Sequence, residues 1–221
     1  EPPRPPAVFY NRRMIRSGLA AAELLSQQPI GMALANGWTP ISGPYRVTHT
    51  GKHQIVKIDG RPALEVYEDF ALSQGVGVDK LTPDWLLRHP VGVCSHGECK
   101  VSVVMGFDTG GALLTTSPPP EGSLTHILGT QPDAMMTAAQ RALQQAFASL
   151  DRREMGGLLF IDCMSTAMVL GDAAEQQRDV VRRTVGALPF LGFRSHGVLA
   201  RLQGQLMGHY ECSVAACVLP R

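Results

Sequence analysis

No apolar run in this chain approaches the roughly 18 residues that a helix needs to span a bilayer, so no membrane partner is expected. Net charge is almost absent too: 20 Lys and Arg stand against 19 Asp and Glu, leaving +1. That balance provides no field to hold a phosphate backbone, so nucleic acid is disfavoured as a partner. Cysteine is scarce, five in 221 residues, which is too few for a disulfide scaffold. Their odd number leaves at least one unpaired. The opening EPPRPP has neither the basic region nor the apolar stretch of a signal peptide, and no initiator Met. A reducing cytoplasm is therefore the expected compartment, and the chain is expected to be a piece of something longer. Enzyme signatures are missing as well: no G-x-S-x-G elbow, no Walker loop, no H-E-x-x-H and no dinucleotide fingerprint after a strand. GFDTGGALL holds one D-T-G triplet without a second, so Asp108 reads as a turn residue beside Gly110 and Gly111. The expectation is a protein that is not an enzyme.

What is present suits a folded domain. With 44% hydrophobic residues, a chain of this length buries roughly 70% of the surface it exposes unfolded. AVFYN, SGLAAAELL and PIGMALANG read as strands, and PYRVTHT-GKH-QIVKID as a hairpin around a Gly-containing turn. RPALEVYEDFAL predicts a helix with Pro62 in its first turn and Leu64, Tyr67 and Leu72 on its apolar stripe. From Gly75 to Val91 the expectation is a loop with one helical turn begun by Thr82 and Pro83. PVGV, KVSVVMGF, GALLTT and LTHILG are strand-like, with SPPPEGS as a break that no ladder continues through.

The clearest helix spans 131–150. Thr130 is its predicted cap, and Met135, Ala139, Ala142, Leu143, Ala146 and Leu150 recur at steps of three and four. GGLLFIDC is an apolar run of strand length. A charged helix around Glu175 to Val185 follows it, then PFLGFRSHGVLA, and QLMGHYECSVAACVLP as a last strand or pair of strands. Strands and helices intermix, which predicts an α+β (mixed α/β) fold: a mixed, largely antiparallel sheet flanked by helices.

VGVCSHGECK gathers Cys94, His96, Glu98 and Cys99 within six positions. It lies between two strand-like runs, so SHGE reads as a hairpin turn with the cysteines as cross-strand neighbours. Three readings stay open: a zinc site, for which C-x-H-x₂-C supplies too few ligands at an unusual spacing; a disulfide, serving as a redox pair; and two small hydrophobes beside a polar turn. The plainest, the last, takes precedence. Cys212 and Cys217 do not complete a zinc ribbon, because residues five apart on a strand face opposite sides. His49 and His53 flank a turn, and His126 and His209 read as core histidines. His196 follows a strand ending at Phe193, where loops carry functional groups.

Pro120, Glu121, Gly122 and Ser123, then the Ala-rich helix, then a strand ending at Cys163, then Gly192, Phe193 and Gly197, occur in an order that resembles the C-terminal portion of the FIST domain. NGWTPIS, with Gly37, Trp38 and Pro40, is similar to the end of that family's N-terminal portion, and DGRPALEVY to the start of its C-terminal portion. The resemblance implies a tail of the N-terminal portion over 1–45 and the C-terminal portion over 46–221. There are two departures. The arginine usual after the cysteine is absent, Cys163 being followed by Met164, Ser165 and Thr166. The glutamate of the last turn is replaced by Val198.

The resemblance implies a non-catalytic sensory domain that binds a small molecule and signals to a partner such as a kinase, cyclase or chemotaxis module. Its ligand site would involve Cys163, Phe193, His196 and Gly197, with Trp38 as an apolar wall. No cofactor is expected on that reading. Haem-mediated nitric-oxide sensing is the alternative the family raises, with His196 or His209 as ligand. An interaction platform without ligand is the third.

Overall fold

The computed structural model describes residues 7–16, 18–95, 97–151, 155–202 and 208–221. The opening EPPRPP, Ser17, His96 and the start of the last predicted strand (205–207) lie outside the described residues.

β1 (Ala7–Tyr10) and β2 (Arg13–Arg16) form an exposed hairpin. Residues 18–30 then run without regular structure, and Leu19 and Leu25 are each 88% exposed. The strand expected over SGLAAAELL is thus not formed. Its alanines and leucines lack the alternation that buries one face of a strand, and no neighbouring strand pairs with them. β3 (Gly31–Ala35), β4 (Thr39–Gly51), β5 (Gln54–Ile58) and the short β6 (Arg61–Pro62) follow. The hairpin read from PYRVTHT to QIVKID is present as β4–β5, with Gly51 opposite Gln54.

α1 (Ala63–Ser73) starts one residue after Pro62. It buries Ala63, Val66, Tyr67, Phe70 and Ala71, so its stripe is rotated from the one predicted and Leu72 is 59% exposed. The reason is register: Tyr67, Phe70 and Ala71 lie at steps of three and four from Ala63, and they outweigh a stripe drawn through Leu72. α2 (Pro83–Arg88) is the helical turn capped by Thr82, whose hydroxyl accepts the Trp85 N–H. β7 (Val91–Ser95), β8 (Glu98–Ser102), β9 (Val104–Phe107), β10 (Leu113–Thr115) and β11 (Leu124–Gly129) come next. Asp108 lies in a turn, its carboxylate accepting the N–H groups of Gly110 and Ala112.

At the start of α3 (Pro132–Phe147) the N-cap position falls on Gln131, whose side chain makes no capping bond, while the Thr130 hydroxyl donates to the Gly37 carbonyl. β12 (Met155–Cys163) leads into α4 (Met164–Leu170), a 3-10 turn and α5 (Ala174–Val185). β13 (Phe190–Ser195), β14 (Val198–Ala200), β15 (Gly208–Tyr210) and β16 (Val214–Pro220) complete the described chain.

The larger sheet has the order β8-β7-β11-β4-β5-β10-β9, antiparallel throughout, with β6 added to β5. The smaller has the order β13-β12-β16-β3, and its β12–β13 pair is parallel. The fold is α+β, as predicted. α1 closes the first core over Val47, Ile55, Ile58 and Leu113. α3 and α5 close the second over Leu158, Phe160, Val214, Ala216 and Val218. A third cluster, with Trp38, Leu128, Met135, Leu170 and Cys212, joins strands of the larger sheet to α3, α4 and the connecting segments. β3 runs so near α3 that a Cβ on Gly31 would lie 2.1 Å from the Ala146 carbonyl oxygen, a contact only glycine avoids. Among the described residues, no helix is long and apolar enough to cross a membrane.

Candidate functional site

Among the described residues one strand pair is parallel, β12–β13. Parallel neighbours need a crossover, and here β12 reaches β13 through α4 and α5. In such units the crevice beyond the carboxyl ends of the strands is the natural binding place, because loops and helix ends open there. Register sets Asp162 beside Arg194 and Cys163 beside Ser195 at those ends. Side chains alternate, so Phe160 and Asp162 share the face covered by α5, and Phe193 pairs with Ile161 on the other.

A cavity of about 690 Å³ opens between α5 and these strands, within the size range of small-molecule sites. Phe160, Asp162, Phe190, Gly192, Phe193 and Arg194 form its strand wall. Ala174, Glu175, Gln177, Arg178, Val181 and Arg182 form its helix wall. The strand wall is aromatic at one end and charged at the other.

Asp162 is 5% exposed. Burial pushes its carboxyl up to about 6, against the pull of the Arg194 guanidinium. Arg194 Nε lies 3.7 Å from Asp162 Oδ2, while Oδ1 has no hydrogen-bond partner. Gln177, 2% exposed, leaves its Nε2 without a partner. The Thr166 hydroxyl on α4 faces the Asp162 carboxyl and helps to hold its pKa down, though outside good hydrogen-bond geometry. Leaving a buried donor such as Gln177 Nε2 unpaired typically costs about 1–3 kcal/mol, so it needs an explanation. On the rim, Arg178 pairs with Glu175 at 2.6 Å across one helical turn. Arg182 has no ion-pair partner among the described residues.

The residues expected to form the site are only partly brought together. Phe193 borders the cavity through its place in β13, with its ring on the opposite face of the sheet beside Ile161. Cys163 ends β12 but is buried, near Cys212, whose thiol burial pushes well up, with the Cys163 thiol and Glu211 adding to the effect. His196 is exposed on the turn after β13. Gly197, with φ +120°, lies under the His209 ring: a Cβ there would be 2.1 Å from Nε2. His209 also faces Glu211, Nδ1 to Oε1 3.9 Å. Glu211 is itself buried, accepting the Val103 N–H at 2.7 Å and bonded to the Thr116 hydroxyl. Trp38 is 3% exposed in the third core cluster, away from the cavity lining. Cys94 and Cys99 are joined in a disulfide across β7 and β8, directly opposite in register. Of the three readings of that cluster, the structure carries the bridge. No group of three or more His, Cys, Asp or Glu placed to hold a metal is found among the described residues.

Asp162, Gln177, Arg182 and Arg194 were not anticipated. Asp162 did carry a signal, as the one charge near the end of the apolar run GGLLFIDC, where a carboxylate must be either paired or functional. Gln177 and Arg182 look like any solvated helix positions until the fold turns one inward.

Residues 3–61 match the FIST N domain and residues 63–201 match the FIST C domain. No curated protein and no solved structure matches the chain. The FIST C match alone spans more than half of its length, and its helix–strand order is the one that builds the cavity. The chain belongs to the FIST family of sensory, non-catalytic signal-transduction domains.

Proposed function

We propose that the cavity between α5 and the β12–β13 pair is a small-molecule sensing site, and that its occupancy is relayed to a signalling partner protein. The observation that carries this reading is a pair of buried polar side chains in the wall of an open cavity: Gln177, whose Nε2 lacks an acceptor, and Asp162, whose Oδ1 is poorly satisfied beside its long contact with Arg194. A ligand supplies what the fold leaves unsatisfied. Because α5 contributes one wall and packs on the second core through Val181 and Val185, a shift of α5 on binding is transmitted to β3 and β16. Haem, which family resemblance raises, needs an open imidazole nitrogen beside a wide cleft. His209 is packed between Gly197 and Glu211 and His196 stands on an exposed turn, so these residues do not fit that group.

The test is ligand-detected NMR of the whole chain against a metabolite library, repeated with Gly192→Leu. Gly192 has room for a side chain, its Cβ position meeting nothing closer than 3.7 Å, so the substitution fills the cavity without breaking the strand. Loss of hits in the filled variant is expected. A folded chain that binds nothing, or binds equally well with Gly192→Leu, would overturn the reading and leave an interaction platform.

A further inference from the structure

The charges around the cavity are unequal in their commitments. Glu175 is held by Arg178, and Asp162 pairs with Arg194, Oδ2 to Nε 3.7 Å. Arg182 lines the cavity, is exposed, and pairs with nothing among the described residues. Three guanidinium groups and two carboxylates therefore line one cavity and leave a whole positive charge over: Arg194 lies with Asp162 at the carboxyl ends of the strands, and Arg182 lies toward the other end, one turn before Val185, which packs beside Met155 and Pro189. Between the charges the lining is apolar, from Phe160, Phe190, Val181 and Ala174. A guanidinium binds carboxylate and phosphate through paired N–H donors, more strongly than any neutral pair. Gln177 adds a buried N–H donor that lacks an acceptor.

We propose that the ligand of this cavity is a small organic anion: a flat apolar body against Phe160 and Phe190, with a carboxylate or phosphate held by the Arg182 guanidinium and the Gln177 amide N–H. The proposal rests on the sensing-site reading above and names its ligand class. Asp162 acts against the ligand. While ionised it repels the incoming charge from within the same lining, so it sets a threshold that the anion must overcome. The groups facing it are Arg194 from β13, the Thr166 hydroxyl from α4, and Gln177, Glu175 and the two arginines of α5 around the same cavity. Neutralising Asp162 removes that repulsion and leaves the Arg194 charge uncompensated in the lining.

Three probes separate the possibilities when titrated calorimetrically into the whole chain: benzoate, phenyl phosphate and the neutral benzamide. Benzoate or phenyl phosphate is expected to bind and benzamide not, and the stronger of the two anions identifies the headgroup. Arg182→Gln is expected to weaken the anion about tenfold or more, the loss of one charge-assisted pair. Asp162→Asn is expected to tighten it severalfold at neutral pH. Arg182 is on the surface, so its variant folds; circular dichroism checks both. Benzamide binding as well as benzoate, or an Arg182→Gln variant with unchanged affinity, overturns the anion while the sensing site survives through its library hits. Anion binding that persists in Gly192→Leu places the anion elsewhere and also overturns it. Binding of library compounds with none of the three probes overturns it too, whereas binding of nothing at all removes both readings.

Discussion

Asp162 is the residue in which energetics and location coincide. Its carboxyl, ordinarily near 3.8, sits at about 6 because burial disfavours the charge. The folded chain therefore holds that proton more tightly than the unfolded chain does. The resulting stability is complete at low pH and is lost as pH rises through about 6. Above that, the ionised group costs on the order of 3 kcal/mol relative to its protonated form. Asp162→Asn is expected to raise the melting temperature at about pH 7.5 and to change it little at about pH 4. Equal shifts at both would mean that the charge is not the cause. The sequence exposed this residue only as an oddity beside Cys163. What it could not carry was the partner, since Arg194 reaches Asp162 through a parallel register that only the crossover creates.

Single elements were more legible than their neighbours. LTHILG is β11 residue for residue, and the small residues of α3 announced its buried face before any packing was known. Those same alanines explain β3, which approaches α3 so closely that Gly31→Ala should cost several kcal/mol, roughly 2–4, through backbone displacement. Urea denaturation measures it, and a change under about 0.5 kcal/mol would mean that the helix yields freely. The β7–β8 hairpin was read correctly as a hairpin, but preference went to two small hydrophobes where the register instead closes a bridge. Alkylation of the denatured chain without reductant should modify three cysteines, Cys163, Cys212 and Cys217, and all five after reduction. Five labels without reductant would contradict the disulfide. Replacing both bridge cysteines by serine should cost about 2 kcal/mol, the modest figure that a short loop implies.

At the scale of the molecule, neither family match is a separate body. β3 and β4 lie in the FIST N match, yet β3 pairs with β16 near the chain's end and β4 with β11. Such long-range pairings are invisible to local patterning, and so was the third core cluster that takes Trp38 out of the site and into the interior. The class of fold could be read from alternating elements, whereas the cavity required knowing which strands are neighbours. One feature of the smaller sheet bears on how the protein behaves in bulk. β13 is a terminal strand, and Phe190, Leu191 and Phe193 along it are 41%, 61% and 48% exposed. Its unpaired backbone and greasy surface make it a template on which another chain can add, and it carries one charge, Arg194, to discourage that. Concentrated solutions should therefore grow oligomers by strand addition, and Leu191→Lys should suppress them in sedimentation velocity; persistence of the oligomers would assign colloidal instability to a different surface.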